Sequence, residues 1–369
     1  MFFLHVKNIR LINFRNYDNL SLDFNRKTNV FLGKNAQGKT NLLEGIYICA
    51  TGRSFKTNRD KEIINFSKKE AYIGANVSIG EYERFIEIKM ERDRTKRIRI
   101  NKTELKNYKE LNSGLNVIIF SPDDLKLVKE GPQERRNFLD LEISQLKPIY
   151  SHNILRYNKV LFQRNNLLRL NKLSKNIEEL IEIFDLQLAK IGTDIILERQ
   201  RYVEEISKIC KITHNKITLN KESLELKYIS NIDILKDKWK MEQNYIDLLK
   251  KNRKKDIENS STQLGPHRDD LYIGIDHKEL KTYGSQGQQR TAVLSIKLSE
   301  IELIKDQKGF YPVLLLDDVF SELDGERKRY LISLFKDIQT LITTTDTTDL
   351  KELKDIEKSV FNIENGNIK

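Results

Sequence analysis

Eight residues, Gly33-Lys34-Asn35-Ala36-Gln37-Gly38-Lys39-Thr40, fit the pattern G-x-x-x-x-G-K-[ST] and constrain this chain more than any other stretch. The run Asn29-Val30-Phe31-Leu32 before them reads as a buried strand, and Asn41 to Ile48 after them reads as a helix. Strand, glycine loop and helix in that order turn a spacing into a phosphate site. Backbone N–H groups wrap the phosphates, and the helix N-terminus adds unpaired donors and partial positive charge. Lys39 is expected to reach the β- and γ-phosphates, and Thr40 to hold Mg²⁺ through its hydroxyl. The expected nucleotide-binding residues are therefore Gly33 to Thr40 together with Asn41.

Such a loop needs a carboxylate partner for the metal. Asp317-Asp318 ends the unbroken apolar run Val313-Leu314-Leu315-Leu316, which reads as a fully buried strand. Asp317 is the expected Mg²⁺ ligand, and Asp318 is expected to polarise the attacking water. Ahead of this strand, Tyr283-Gly284-Ser285-Gln286-Gly287-Gln288 leads into a helix that opens with Gln288-Gln289-Arg290-Thr291. A serine and a glycine at a helix start offer a hydroxyl and bare N–H groups, a second phosphate-binding surface at Ser285, Gln286, Gly287 and Gln288. The first loop already accounts for one nucleotide. This surface is then either idle or serves a nucleotide held by a neighbouring copy.

At 369 residues the chain has room for two domains, or for one domain with a large insertion. Residues 1–25 and 71–100 alternate in polarity, as antiparallel strands do. From 124 to 259 the text turns charged and helical. The apolar face through Leu180, Ile183, Phe184, Leu188 and Ile195 predicts one helix of about 30 residues, about 45 Å long. The expected organisation is a head in two parts, 1–123 and 260–369, divided by a helical insertion over 124–259.

Charge points to the partner. Sixty-five basic against 54 acidic residues give +11, which suggests a polyanion, nucleic acid first, although a lysine-rich composition also follows genome bias. Arg92, Arg94, Lys96, Arg97 and Arg99 crowd one hairpin-like stretch, and Arg53, Lys56 and Arg59 follow the first helix. Of these, Arg53, Lys56, Arg92, Arg94 and Arg97 are candidate DNA contacts through phosphates, each with a solvated face as its plain alternative. There is no run of about 18 apolar residues to cross a membrane. The opening MFFLHVKNIRL is too short for a signal peptide, and Cys49 and Cys210 read as buried thiols of a cytoplasmic protein.

The motifs in this order, around a helical insertion, resemble the ABC-type ATPase heads of the SMC and RecF families. VLLLDDVFSELD over 313–324, YGSQGQQRT over 283–291, LGPHRDDL over 264–271, FSPDDLKLVKEGPQERRNFLD over 120–140 and ATGRSFKT over 50–57 are similar to the RecF pattern. The resemblance implies an α/β fold, an ABC-type P-loop ATPase head with a mixed sheet, plus an inserted mainly helical arm. It implies an ATP-dependent homodimer that binds duplex or gapped DNA or a single-strand/duplex junction. It also implies slow ATP hydrolysis and work with RecO and RecR to place RecA at gaps in repair and replication restart. By motif, Gly33–Thr40 is Walker A, Ser285–Gln288 the signature, Asp317-Asp318 Walker B and Ser321–Asp324 the D-loop. Two departures stand out. Asp318 replaces the glutamate usual after Walker B, and Thr343-Thr344-Thr345-Asp346 stands where a switch histidine is usual. Slow turnover is the expectation. Rival readings are a transporter-type ABC ATPase subunit, an SMC-type structural protein and a small-molecule kinase.

Overall fold

The computed structural model describes residues 3–105, 111, 114–170, 175–320, 323 and 325–369. The chain forms two compact units, Met1–Asp124 with Leu294–Lys369, and Leu125–Val293.

The first unit holds two six-stranded sheets. One is antiparallel, in the order β2 (Tyr17–Asp23), β1 (Leu4–Phe14), β4 (Glu70–Ile79), β5 (Tyr82–Glu91), β6 (Arg94–Ile100) and β7 (Thr103–Glu104). Its polarity alternation is real: Leu4, Val6, Ile9, Leu11 and Phe14 are buried along β1. The other sheet runs β15 (Asn367–Ile368), β14 (Lys358–Glu364), β3 (Thr28–Leu32), β13 (Thr340–Thr344), β12 (Val313–Asp317) and β8 (Val117–Phe120). From β14 to β8 every pair is parallel. Parallel strands covered on both faces read as continuous apolar text, and all five residues of β12 are buried.

Helix α1 (Lys39–Thr51) follows β3 and touches strands of both sheets. Eleven of its 13 residues are buried, so its pattern is apolar nearly all round rather than striped. Its approach to β1 is close: a Cβ on Gly45 would stand 2.9 Å from Leu11 Cδ2. The fully buried Gln339 carboxamide joins the sheets, accepting from the Val6 N–H at 2.7 Å and donating to the Val6 carbonyl at 2.8 Å. It satisfies the backbone where β1 slips register between Val6 and Asn8.

The second unit carries α2 (Lys126–Lys129), α3 (Pro132–Leu146), α4 (Pro148–Arg169), α5 (Lys175–Ile217), α6 (Lys238–Glu258) and α7 (Leu280–Tyr283). With them goes a three-stranded sheet, β11 (Lys278–Glu279), β10 (Asp270–Ile275) and β9 (Leu224–Ile229). Helix α5 has 43 residues, about 65 Å, longer than its apolar face predicts. The glycine inside it, Gly192, is a packing contact rather than a break, since a Cβ there would stand 2.7 Å from Tyr245 Cε1. The unit runs past 259 because β10 pairs along its whole length with β9, from Asp270↔Ile229 to Ile275↔Leu224. Helix α8 (Gln286–Lys308) begins in this unit and ends in the other. Two short helices, α9 (Gly325–Ser333) and α10 (Thr348–Glu352), complete the first unit.

The stretch Leu264–Asp270 is a polar knot inside the second unit. Asp270 takes a bidentate pair from Arg135 at 2.6 and 2.8 Å, and the Pro266 carbonyl accepts from Arg199 at 2.6 Å. Asn231 donates to Asp269 at 2.9 Å. Gly265 adopts φ +127°, and a Cβ there would stand 2.0 Å from the Tyr245 hydroxyl, so no other residue fits. His267 Nε2–H donates to the Thr262 carbonyl at 2.9 Å, which leaves Nδ1 to accept from the Tyr157 hydroxyl at 2.8 Å.

Burial pushes the His267 ring from its ordinary 6.5 down to about 4. Between those values the unfolded chain takes up a proton that the folded chain refuses. The contribution of His267 to stability is therefore complete above its unfolded pKa and falls as pH drops toward 4. The full effect is on the order of 3 kcal/mol. Urea unfolding at about pH 7.5 and about pH 5, followed by the fluorescence of Trp239, should show a smaller acid-induced loss in His267→Gln than in the parent. Equal losses would assign the effect to another group.

Candidate functional site

The carboxyl ends of β3, β13, β12 and β14 meet at one edge of the parallel sheet, and the pairing Thr344↔Leu32 and Asp317↔Thr343 fixes who stands beside whom. Ligands of open parallel sheets bind outside this edge. Here the chain leaves β3 as the loop Gly33–Gly38 and enters α1. Gly33 lies so close to β14 that a Cβ would stand 2.4 Å from the Ile363 carbonyl oxygen. Gly38 adopts φ +112° against the Asn16 side chain, and Ala36 sits at φ +65°. Lys34, Asn35 and Ala36 are exposed at the loop's tip.

Lys39 is buried, and its ammonium sits inside the loop, donating to the carbonyls of Gly33 at 2.7 Å and Lys34 at 3.0 Å. Burial lowers its pKa, while Asp318 and then Asp317 pull the other way. Thr40 Oγ1 donates to Asp317 Oδ1 at 2.8 Å. The two most separated sequence motifs are thus joined by a direct hydrogen bond. A hydroxyl and a carboxylate are hard oxygen donors, and one or two such groups suit Mg²⁺, which keeps waters and phosphates as its other ligands. Helix α1 has no side-chain cap and no acidic residue in its first turn. Its orphan N–H groups and positive dipole end therefore face the loop unopposed, an environment that favours an anion.

Several contacts at this edge escaped the sequence reading. Thr343 Oγ1 donates to Asp317 Oδ1 at 2.8 Å and accepts the Asp318 N–H at 3.0 Å. The threonine found in place of a switch histidine thus orients the first carboxylate and the backbone of the second, which is held at φ +55°. Asn16 Nδ2 donates to the Gln37 carbonyl at 3.0 Å, and the Tyr17 hydroxyl donates to the Gly38 carbonyl at 3.0 Å. From the C-terminal strands, the Asn365 N–H donates to Gln37 Oε1 at 2.6 Å. Asn41 donates to Asn16 Oδ1 at 2.8 Å and accepts from Lys56 at 2.9 Å. Inside α1, buried Glu44 holds Arg15 through two bonds of 2.9 and 2.7 Å. Gln37, Asn41, Lys56 and Thr343 stood out in the sequence, but none of these pairings did. They depend on register.

The turn before α8 is closed on itself. The Gln288 N–H donates to Ser285 Oγ at 3.2 Å, and Gln288 Oε1 accepts the Ser285 N–H at 2.9 Å. This is a reciprocal capping box, so two of the groups expected to be bare are engaged. Gln288 Nε2 also donates to Glu222 at 3.0 Å. The Ser285 O–H and the exposed Gln286 and Gly287 remain on the surface. Of the D-loop, Ser321, Glu322 and Asp324 lie outside the described residues.

The family model described as RecF/RecN/SMC N terminal domain matches residues 5–369. The DNA replication and repair protein RecF of Clostridium perfringens is 47% identical over 367 residues, covering 99% of this chain and 100% of its own length. This chain belongs to the RecF family. The Clostridium novyi RecF is likewise 47% identical, over 365 residues and 99% of each protein. A solved structure of the recombination mediator protein RecF with ATP, from the RecFOR pathway, superposes with a TM-score of 0.92 at 36% identity, covering 100% of this chain and 99% of that one. The Smc head domain of Pyrococcus furiosus bound to ScpA gives 0.56 at 16% identity over 99% and 95% of the two chains, a likeness of fold alone. RecF membership over nearly the full length speaks against the transporter and kinase readings.

The candidate DNA contacts of this RecF-family chain differ in their surroundings. Arg53 is exposed just beyond α1, and Lys56 is tied to Asn41 beside the phosphate loop. Arg92 binds backbone carbonyls of Asn65, Phe66 and Lys68. Arg94 and Arg97 are exposed and share Glu91 at 3.6 and 2.8 Å. Exposed pairs of this kind are worth little and exchange readily for phosphate. Among the described residues, no helix is long and apolar enough to cross a membrane.

The tight approach of Gly33 to Ile363 makes a direct test. Gly33→Ala should destabilise the first unit by about 1–3 kcal/mol and lower its thermal midpoint. An unchanged midpoint would show that β14 yields to the extra methyl.

Proposed function

We propose that this RecF-family chain is an ATP-dependent DNA-binding recombination mediator, an ATP-driven dimer clamp with slow, DNA-stimulated hydrolysis. The observation that carries the reading is the union of the loop, Lys39, Thr40 and Asp317 at one sheet edge. The solved RecF structure with ATP supports assigning ATP to this loop. Mg²⁺, when bound, would supply charge neutralisation to the phosphates. Thr40 and Asp317 would hold the metal, and Lys39 would transfer its donors from the Gly33 and Lys34 carbonyls to phosphate oxygens. Gly33–Asn41 supply the surrounding N–H groups. Asp318 orients the attacking water. It is one methylene shorter than glutamate, which supports turnover below roughly 1 s⁻¹ without DNA.

The Ser285–Gln288 turn binds the triphosphate held by a second copy. Its capping box supports this role, because a serine that accepts a helix N–H keeps its own O–H to donate to an anion. Charge-assisted bonds to the γ-phosphate contribute about 1.5–3 kcal/mol each, so their loss after hydrolysis opens the dimer. The partners are duplex, gapped or junction DNA, and RecO and RecR, with RecA loaded at gaps. The RecFOR description of the similar structures supports this assignment. The setting is the cytoplasm.

Mass in solution with a non-hydrolysable ATP analogue tests the clamp. The parent chain should dimerise, and Lys39→Ala should neither bind nucleotide nor dimerise. Ser285→Arg should bind nucleotide and stay monomeric, and Asp318→Asn should remain dimeric in ATP itself. A Ser285→Arg variant that dimerises like the parent would overturn the role of the turn.

DNA affinity should fall steeply between about 50 and 200 mM salt, with Arg53→Ala and Arg94→Ala each lowering the salt slope by about one. Affinity independent of salt would contradict phosphate-led binding.

A further inference from the structure

Phe66 is 99% exposed, more than any other large apolar side chain described, yet the turn that carries it is held rigidly. The Asn65 N–H donates to the Asn13 carbonyl at 2.8 Å, and the Lys68 N–H closes the turn on the Asn65 carbonyl at 2.9 Å. Arg92 stands behind it, with Nε–H on the Lys68 carbonyl at 2.9 Å and Nη2 on the carbonyls of Asn65 and Phe66 at 3.2 Å each. Ile63 and Ile64, 1% and 3% exposed, root the segment in the core. A fixed backbone presenting a bare ring loses little conformational freedom when the ring finds a partner.

The surroundings select that partner. Lys68 and Lys69 follow directly, both exposed and neither in an ion pair among the described residues. Lys61, a little earlier in the chain, is exposed and 3.9 Å from Asp93, and Arg92 lies beneath the turn. The acidic groups close by are engaged: Asp93 stands 3.9 Å from Lys61, Glu70 pairs with Lys89 at 2.7 Å, and Asp18 accepts from Asn65 at 3.4 Å. A bare apolar ring followed directly by two exposed lysines outside any ion pair among the described residues suits a partner that alternates flat apolar faces with phosphates, which is single-stranded nucleic acid. A protein partner would need an acidic surface around its pocket.

We propose that Phe66 stacks on an unpaired nucleobase where single-stranded DNA adjoins duplex, with Lys68 and Lys69 on the neighbouring phosphates. The inference rests on the DNA-binding reading above and adds to it a residue that distinguishes a gap from intact duplex. Intact duplex offers phosphates but no free base face.

The test uses the full chain with a non-hydrolysable ATP analogue and a labelled gapped oligonucleotide. A gapped circle and a relaxed, covalently closed circle serve as competitors. The parent should prefer the gapped circle. Phe66→Ala should weaken gapped-circle binding about tenfold and leave closed-circle binding unchanged, while Phe66→Trp keeps the preference. A 2-aminopurine at the first unpaired position should be quenched by the parent and by Phe66→Trp, and not by Phe66→Ala. Because the ring touches solvent only, none of these variants should alter folding. Identical preference in Phe66→Ala and parent would overturn the proposal and leave Phe66 to a protein partner, and an equal loss on both circles would overturn it too. If the parent binds neither circle, the DNA-binding reading falls and this inference with it.

Discussion

Asp317 Oδ1 accepts two hydroxyl hydrogen bonds of 2.8 Å, one from Thr40 and one from Thr343. Thr40 is in the first turn of α1, Thr343 is on β13, and Asp317 ends β12, so one carboxylate registers three elements at the sheet edge. An aspartate only 7% exposed needs such donors, because burying a charge without them is costly. Lys39 answers with an ammonium satisfied by two loop carbonyls, and burial and the two aspartates press on it in opposite senses. Lys39, Thr40, Asp317 and Thr343 each have a hydrogen-bond partner within this edge.

Around this core the chain favours buried polar clamps. Gln339 repairs the slip in β1, Glu44 fixes Arg15 inside the head, and Arg164 joins Asp185 and Asp256 at 2.6 and 2.7 Å with all three side chains fully buried. Buried pairs are weak evidence for net stability, since desolvation offsets much of the attraction. Their geometry is demanding, however, and a misplaced helix would leave charges unpaired. The Leu264–Asp270 knot works in the same way. A glycine at φ +127°, a histidine with both nitrogens engaged and two aspartates with dedicated donors permit one arrangement of α4, α6, β9 and β10.

The strand–loop–helix of the head was legible because its pattern is local. G-x-x-x-x-G-K-T needs a strand before it and a helix after it, and both lie within a few residues. The apolar run ending in Asp317-Asp318 announces its own burial. The Ser285–Gln288 turn was legible as a helix start, but its closure as a capping box needed the side chains in place. Illegible features were all matters of pairing. Thr343 gains its role only from parallel register with β12, and Gln37 meets Asn365 from 328 positions away in sequence. Residues 270–275 belong with the helical unit because they pair with β9, and a strand's text does not name its partner.

The sequence by itself determined the glycine loop between strand and helix, the buried strand that ends in Asp317-Asp318, the helical insertion and the excess of positive charge. These follow from residue type and short-range spacing, which fix local backbone geometry and burial. Tertiary structure alone decided which side chains converge on Asp317, where one unit ends and the next begins, and that Phe66 stands bare on a braced turn. Those outcomes come from strand register and long-range packing, where many distant residues must agree and no single stretch carries the information.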